Sequence, residues 1–256
     1  MIMMAVGAVF SVAVPILLGR WLVKKYNANV GPILVGAGVF VVFALILEPI
    51  VHNLVLKGTL GATIKGNIWY YALYGGLAAG IFEETGRFLG MKFLMKKEAP
   101  TAVPAVAYGV GHGGAEMILV YGMTMLANIV IAVMINVGQA DVFFASVPRE
   151  GDAQAQIQAQ LTQLETAGIG TYLLGLWERI SALILQLGLS VLVWAAVRKG
   201  GKWLWLFPAA ILLHFVVDGI TVVLAKSVGM VAVESIIFCC ALAVGAMGWM
   251  IAKKLR

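Results

Sequence analysis

Residues 68–91, IWYYALYGGLAAGIFEETGRFLGM, form an apolar run of 24 residues with two acids and a base near its end. A helix needs about 20 mostly apolar residues to cross the roughly 30 Å of bilayer hydrocarbon. A charged side chain near the bilayer centre costs a few kcal/mol, so such residues usually face the protein interior. The run therefore predicts a membrane helix that carries a polar site.

Six further apolar runs flank this one, at residues 2–19, 31–56, 104–138, 169–197, 203–225 and 228–252. The chain has 256 residues, of which 62% are hydrophobic and 12% charged, and its mean hydropathy is +0.98. This apolar surface exceeds what one soluble core can bury, which excludes a soluble globular domain. We predict an all-α polytopic membrane helix bundle of about seven transmembrane helices, forming a single integral membrane domain over residues 1–256.

The basic residues between the runs predict the orientation. Twelve Lys and Arg residues follow the first, third, fifth and seventh runs, and four follow the second, fourth and sixth. Because cytoplasmic connections carry the excess of Lys and Arg, the N-terminus is expected outside and the C-terminus in the cytoplasm. The net charge of +6 is thus explained by topology, and no nucleic-acid partner is expected.

One connection, residues 139–168, is long enough to carry structure of its own. From Asp152 to Ala167 it is rich in Gln and Ala, and Ile157, Leu161 and Leu164 recur at spacings of three and four. This pattern predicts a short amphipathic helix on the outer face. Such a helix could cap the surface or lie in the interface, or it could contact a substrate or partner.

Seven of the twelve acidic residues lie inside the apolar runs: Glu48, Glu83, Glu84, Glu116, Glu178, Asp218 and Glu234. Several of them form pairs spaced by four residues, which places both members on one face of a helix. These pairs are Glu83 with Arg87, His112 with Glu116, and His214 with Asp218. Three such groups in a chain with so few charges point to a functional site.

The three groups are also expected at similar depth. At 1.5 Å per residue, Glu83 lies ~13 Å before Lys92, His112 ~21 Å past Glu98, and His214 ~18 Å past Lys202. Imidazole and carboxylate side chains from two helices suit zinc or another divalent metal, with a carboxylate on a third helix as base. The candidate metal ligands are His112, Glu116, His214 and Asp218.

Other polar residues within the runs have simpler interpretations. His52 and Glu48 are expected to make a structural polar contact near the outer end of their helix. The adjacent residues Glu178 and Arg179 are expected either to form an ion pair or to gate substrate. Glu234, which has no obvious partner in the sequence, is expected to be a lone buried acid.

The motif order EE-x-x-R (83–87), H-x-x-x-E (112–116) and H-x-x-x-D (214–218) resembles the YhfC-type family of intramembrane metalloproteases. That family is related to the CAAX prenyl protease and bacteriocin-processing group and to PrsW. The prenyl-protease group typically has EE-x-x-x-R, one residue longer than the motif here, and this departure fits the YhfC-like branch better. An aromatic residue four positions before the first histidine, here Tyr108, is similar to the family pattern.

The resemblance implies that Glu83 or Glu84 is the general base and that Arg87 orients the carboxylates. His112 and His214 would bind a metal, or would polarise water and the scissile carbonyl without one. We expect the protein to lie in the bacterial plasma membrane, in contact with membrane lipid, and to cleave a membrane-associated peptide or protein. Its cavity is expected to open towards the cytoplasmic half of the bilayer. A transporter coupled to ions or protons would use the same residues and is the main alternative.

Overall fold

A computed structural model describes residues 1–139, 159, 161, 162, 164 and 166–255. Within these residues the chain is helical and has no strand, as predicted. The helices are α1 (Ile2–Tyr26), α2 (Val30–Lys57), α3 (Gly61–Gly66), α4 (Ile68–Leu89), α5 (Val103–Asn136), α6 (Ile169–Lys199), α7 (Leu206–Leu224) and α8 (Met230–Ala252). The predicted all-α bundle is confirmed.

Six of the described helices, α1, α2, α5, α6, α7 with its preceding turn, and α8, are long and apolar enough to cross a membrane. Helix α4 is less apolar because it carries two glutamates and an arginine. Its 22 residues still span roughly 33 Å, which matches the hydrocarbon thickness. These seven helices correspond to the seven predicted runs.

Local sequence explains several helix boundaries and irregularities. Helix α4 begins after Asn67, whose side-chain oxygen accepts hydrogen bonds from the backbone N–H groups of Trp69 and Tyr70, as an N-cap residue does. Helices α2 and α5 each contain a π-helical turn, at Phe43–Leu47 and Met117–Gly122. Such turns occur often at functional sites, and here they adjoin Glu48 and Glu116.

Helix α6 lies at the centre of the bundle and packs against α8, α5, α7 and α4. Of its most apolar 18-residue stretch 72% is buried, against 17–33% of the corresponding stretches in the other candidate spans. Lipid tails are as apolar as leucine, so exposed apolar faces are stable in the bilayer. The interior position of α6 places its polar residues among the charged residues of its neighbours.

Small residues let α4 and α7 approach closely. A Cβ on Gly76 would lie 2.7 Å from the carbonyl oxygen of Phe215, and one on Gly80 would lie 2.8 Å from that of Ile211. Gly76 and Gly80 are four residues apart, which is the small-xxx-small spacing of close membrane helix packing. This contact between α4 and α7 brings the acidic motif of α4 beside His214.

The predicted outer segment, residues 139–168, lies almost wholly outside the described residues. Its amphipathic helix and the role of that helix therefore remain predictions from the sequence.

The orientation can be checked by cysteine labelling. In a variant with Cys239 and Cys240 replaced by serine, a single cysteine at Ser227, between α7 and α8, should react with an impermeant maleimide in intact cells. A cysteine at Lys202, between α6 and α7, should react only after the membrane is opened, because the basic connections are expected in the cytoplasm. Both positions are exposed. The reverse labelling pattern would overturn the predicted orientation.

Candidate functional site

Arg87 holds Glu84 in a buried, fixed position. Its Nε donates to Glu84 Oε2 at 2.8 Å, and its Nη2 donates to Oε1 at 3.1 Å. Both side chains are fully buried. His214 Nδ1 lies 2.8 Å from the same Glu84 Oε1. The two-point arginine contact fixes the carboxylate, and the carboxylate in turn fixes the orientation of the His214 ring.

Glu83 lies where four helices meet. Its Oε2 is 2.8 Å from His112 Nε2 on α5, 3.1 Å from the Gln186 amide on α6 and 4.0 Å from His214 Nε2 on α7. The structure therefore brings both motif histidines within 4.0 Å of one glutamate oxygen. The three sequence motifs therefore meet in space, as expected from the similar depths of their residues in the bilayer.

The expected pairs within each helix are only partly formed. His214 Nε2 lies 3.6 Å from Asp218 Oδ2, as the spacing of four predicted. Arg87 instead bonds Glu84, three residues away, and His112 bonds Glu83 on another helix. Residues three and four positions apart are both neighbours on a helix surface, so the packing of adjacent helices decides which contact forms.

Gln186 and Ser190 belong to the site, although the sequence analysis did not identify them. The Gln186 amide donates to Glu83 Oε2 and to Glu116 Oε2, at 3.1 Å each, and its carbonyl accepts from Arg87. Ser190 accepts a second Arg87 hydrogen bond. These two polar residues interrupt an apolar run at the same spacing of four, LILQLGLS (183–190). Two polar residues at helical spacing within an apolar run are the signal by which the sequence could have indicated them.

Glu116 lies further along α5 and has different partners. Arg179 Nη1 donates to Glu116 at 3.1 Å, and Arg179 also forms the predicted ion pair with Glu178. The contacts continue from Glu116 through Gln186 to Glu83. A polar chain therefore joins the half-exposed Glu178 to the buried histidines.

A polar cavity of about 210 Å³ adjoins this chain, lined among others by Glu83, Gln186, His214, Arg179 and Asp218. From Glu83 it extends towards the start of α6 and the end of α7. In the predicted orientation this is the outer half of the bilayer, whereas the sequence analysis expected a cytoplasmic opening. Sequence predicts the height of a residue along its own helix. The position of a cavity between helices depends instead on how the helices pack.

The predicted metal ligands are not assembled as one set. Zinc needs its ligand atoms at about 2.0–2.2 Å. His112 Nε2 is bonded to Glu83, and Glu116 is bonded to Arg179 and Gln186. Throughout the described ranges, no three His, Cys, Asp or Glu side chains are grouped so that they could hold a metal ion. The residues as arranged do not fit a metal.

The remaining polar residues form separate contacts. Glu48 Oε1 lies 3.1 Å from His52 Nε2, and His52 Nδ1 lies 2.8 Å from the Tyr74 hydroxyl. This is the polar contact expected near the outer end of α2. Glu234 is buried, and one of its carboxyl oxygens has no hydrogen-bond partner among the residues that the structure describes.

Two comparisons with known proteins found sequences similar to this chain. A family model described as YhfC intramembrane metalloprotease matches residues 10–238. The uncharacterized membrane protein YhfC of Bacillus subtilis (strain 168) is 38% identical over 216 residues, which cover 83% of this chain and 80% of the relative. No solved structure matches. The apolar helices and these matches make the chain an integral membrane protein, and it belongs to the YhfC intramembrane metalloprotease family.

Proposed function

We propose that this protein hydrolyses a peptide bond of a membrane-associated peptide or protein, in the bacterial plasma membrane, with Glu83 as general base. One observation carries the proposal: Glu83 lines the polar cavity and lies between two histidines from different helices. The family description, an intramembrane metalloprotease, supports the same reaction class.

Geometry distinguishes Glu83 from Glu84. Glu84 is fully buried, and Arg87 holds both of its oxygens. Glu83 borders the cavity, and its hydrogen bonds among the described residues involve Oε2. A general base must reach the proton that it abstracts. We therefore assign Glu83 as the base and Glu84 as the residue that orients His214.

The reaction follows from these positions. Glu83 takes a proton from a water molecule in the cavity while the water oxygen attacks the scissile carbonyl carbon. Protonated His214 donates an Nε2–H hydrogen bond to the oxyanion that forms. A donor that is already fixed in position stabilises this developing negative charge. Glu83 then returns its proton to the leaving amine, and the C–N bond breaks. His112 holds the Glu83 carboxylate in place throughout.

His214 is suited to carry this positive charge. Glu84 lies 2.8 Å from its Nδ1, and Asp218 and Glu83 lie 3.6 Å and 4.0 Å from its Nε2. Three carboxylates therefore lie close enough to the imidazolium to stabilise its positive charge. The Nδ1–H bond to Glu84 also directs Nε2 into the cavity, in the way that an acid orients histidine in other hydrolases.

A transporter would need polar access from both sides of the membrane. On the predicted cytoplasmic side of Arg87, the side chains of Met91, Met95, Tyr108 and Trp194 are almost completely buried. These four side chains fill the described part of the bundle on that side of the site. A cavity that leads to only one side suits hydrolysis better than transport.

The proposal is tested by comparing membrane proteins from cells that express the wild type with those from cells that express Glu83→Gln. The host should lack a relative of its own. We expect new N-termini, located in or beside membrane segments, only in cells with the wild type. Identical sets of N-termini at equal expression would contradict the proposed protease activity.

Zinc is predicted from the motifs, and the family description implies a metal. In the structure, the histidines and acids would have to regroup to bind it. Metal analysis of purified protein tests it. If zinc is bound, the wild type should hold about one equivalent and His214→Ala should lose most of it. The exposed control Asn53→Ala should match the wild type. A metal-free wild type that still cleaves would contradict the zinc prediction and leave the glutamate mechanism intact.

A further inference from the structure

A second, larger concavity lies between α1 and α2, with a volume of about 930 Å³. Helix α5 forms its floor with Gly111, Gly114 and Ala115. Gly113, by contrast, faces Leu183 and Gln186 of α6. The groove and the polar cavity therefore lie on different sides of α5, and the groove is separate from the proposed active site.

Among the described residues that line this groove, only two have polar side chains, and both are cationic. Arg20 and Lys24 are spaced by four residues on α1, so they share one face. Both are exposed, and no ion pair of the described residues involves either of them. The neighbouring Lys25 instead lies over the Trp21 and Tyr26 rings. Glu98, which lies close to Gly31 at the start of α2, accepts a hydrogen bond from Asn29.

The length of the groove matches one leaflet of a bilayer. On α2 it extends over the thirteen residues from Val30 to Val42, a rise of roughly 18 Å. Half of the hydrocarbon thickness is about 15 Å. The cations lie near the end of α1, at the same end as Val30. The groove therefore runs from the headgroup level on the predicted cytoplasmic side towards the bilayer centre.

We propose that this groove is a specific site for one anionic phospholipid. Arg20 and Lys24 bind its phosphate, and its acyl chains lie along the apolar walls of α1 and α2. Anionic lipids are concentrated in the cytoplasmic leaflet, and each nearby basic residue strengthens their binding. A substrate helix would not require two cations at one end, and a second copy of the chain would bring its own Arg20 and Lys24 close to these.

Native mass spectrometry of the detergent-purified protein tests the proposal. Phosphatidylglycerol and phosphatidylcholine with the same acyl chains are titrated separately. We expect one equivalent of phosphatidylglycerol to bind at least tenfold more tightly than phosphatidylcholine. The double variant Arg20→Gln/Lys24→Gln should lose this preference. Lys253→Gln/Lys254→Gln, which removes the same charge outside the groove, should keep it.

A second variant tests the apolar part of the groove. A Cβ on Gly38, which lines the groove, meets nothing within 4 Å, so Gly38→Trp fills the space without disturbing the helix packing. It should abolish the tightly bound equivalent. Gly75→Trp is the matched control, because a Cβ there also meets nothing within 4 Å, and Gly75 does not line the groove.

Equal affinity for both lipids would overturn the proposal, since it would indicate ordinary surrounding lipid. Retention of the preference in Arg20→Gln/Lys24→Gln would also overturn it. If Gly38→Trp leaves lipid binding unchanged but dissociates a dimer, the groove is instead an interface between two copies. None of these results depends on the proposed protease activity.

Discussion

Replacing Glu83 with glutamine is expected to lower the rate of peptide cleavage by roughly 1,000-fold, because general-base catalysis typically contributes about 10²–10⁴-fold. Glutamine has nearly the same shape, and its carbonyl oxygen still accepts the hydrogen bond from His112. It cannot take a proton from water. The loss should therefore fall on kcat, with little change in KM or in the amount of folded protein.

Glu116→Gln is the matched control for this prediction. Glu116 also lines the cavity and also accepts a hydrogen bond from Gln186, but its ion pair is with Arg179, away from the histidines. We expect its cleavage rate to remain within about tenfold of the wild type, well short of the loss of a general base. Cleavage of one membrane substrate in proteoliposomes provides the measurement. Similar rates for Glu83→Gln and wild type would remove the assignment of Glu83 as base.

Arg87→Met is expected to cause the largest loss of stability, roughly 3–5 kcal/mol, which is typical when one partner of a buried ion pair is removed. The substitution leaves Glu84 fully buried without the arginine that holds both of its oxygens. It also removes the hydrogen bonds to Gln186 and Ser190, which connect α4 to the central helix α6. The unfolding of purified protein in an SDS titration measures the change.

The double variant Glu84→Gln/Arg87→Met shows whether the unpaired charge is the cause. Removing both charges should recover part of the lost stability, because no isolated carboxylate then remains in the interior. Arg198→Met is the control, since Arg198 is only partly buried and donates to the carbonyl of Lys96, so that its loss leaves no carboxylate unpaired. It should cost less than about 1 kcal/mol. A double variant less stable than Arg87→Met alone would contradict this explanation.

The sequence by itself predicted the helical bundle and the meeting of its motifs. A bilayer provides no hydrogen-bond partners for the backbone, so an apolar run long enough to cross it must be a helix or a strand of a closed barrel. The rise of 1.5 Å per residue then sets the height of each side chain. For this reason Glu83, His112 and His214 could be placed at similar depth before their contacts were known.

Only the tertiary structure decided which side chains are partners. At one height a side chain can reach several neighbouring helices, and its choice depends on how each helix is rotated and how closely it packs. The close approach of α4 and α7 at Gly76 and Gly80 accompanies the pairing of His214 with Glu84. The central position of α6 makes Gln186 the link between Glu83 and Glu116. These distances between helices also determined where the cavity lies, because helical periodicity describes one helix at a time.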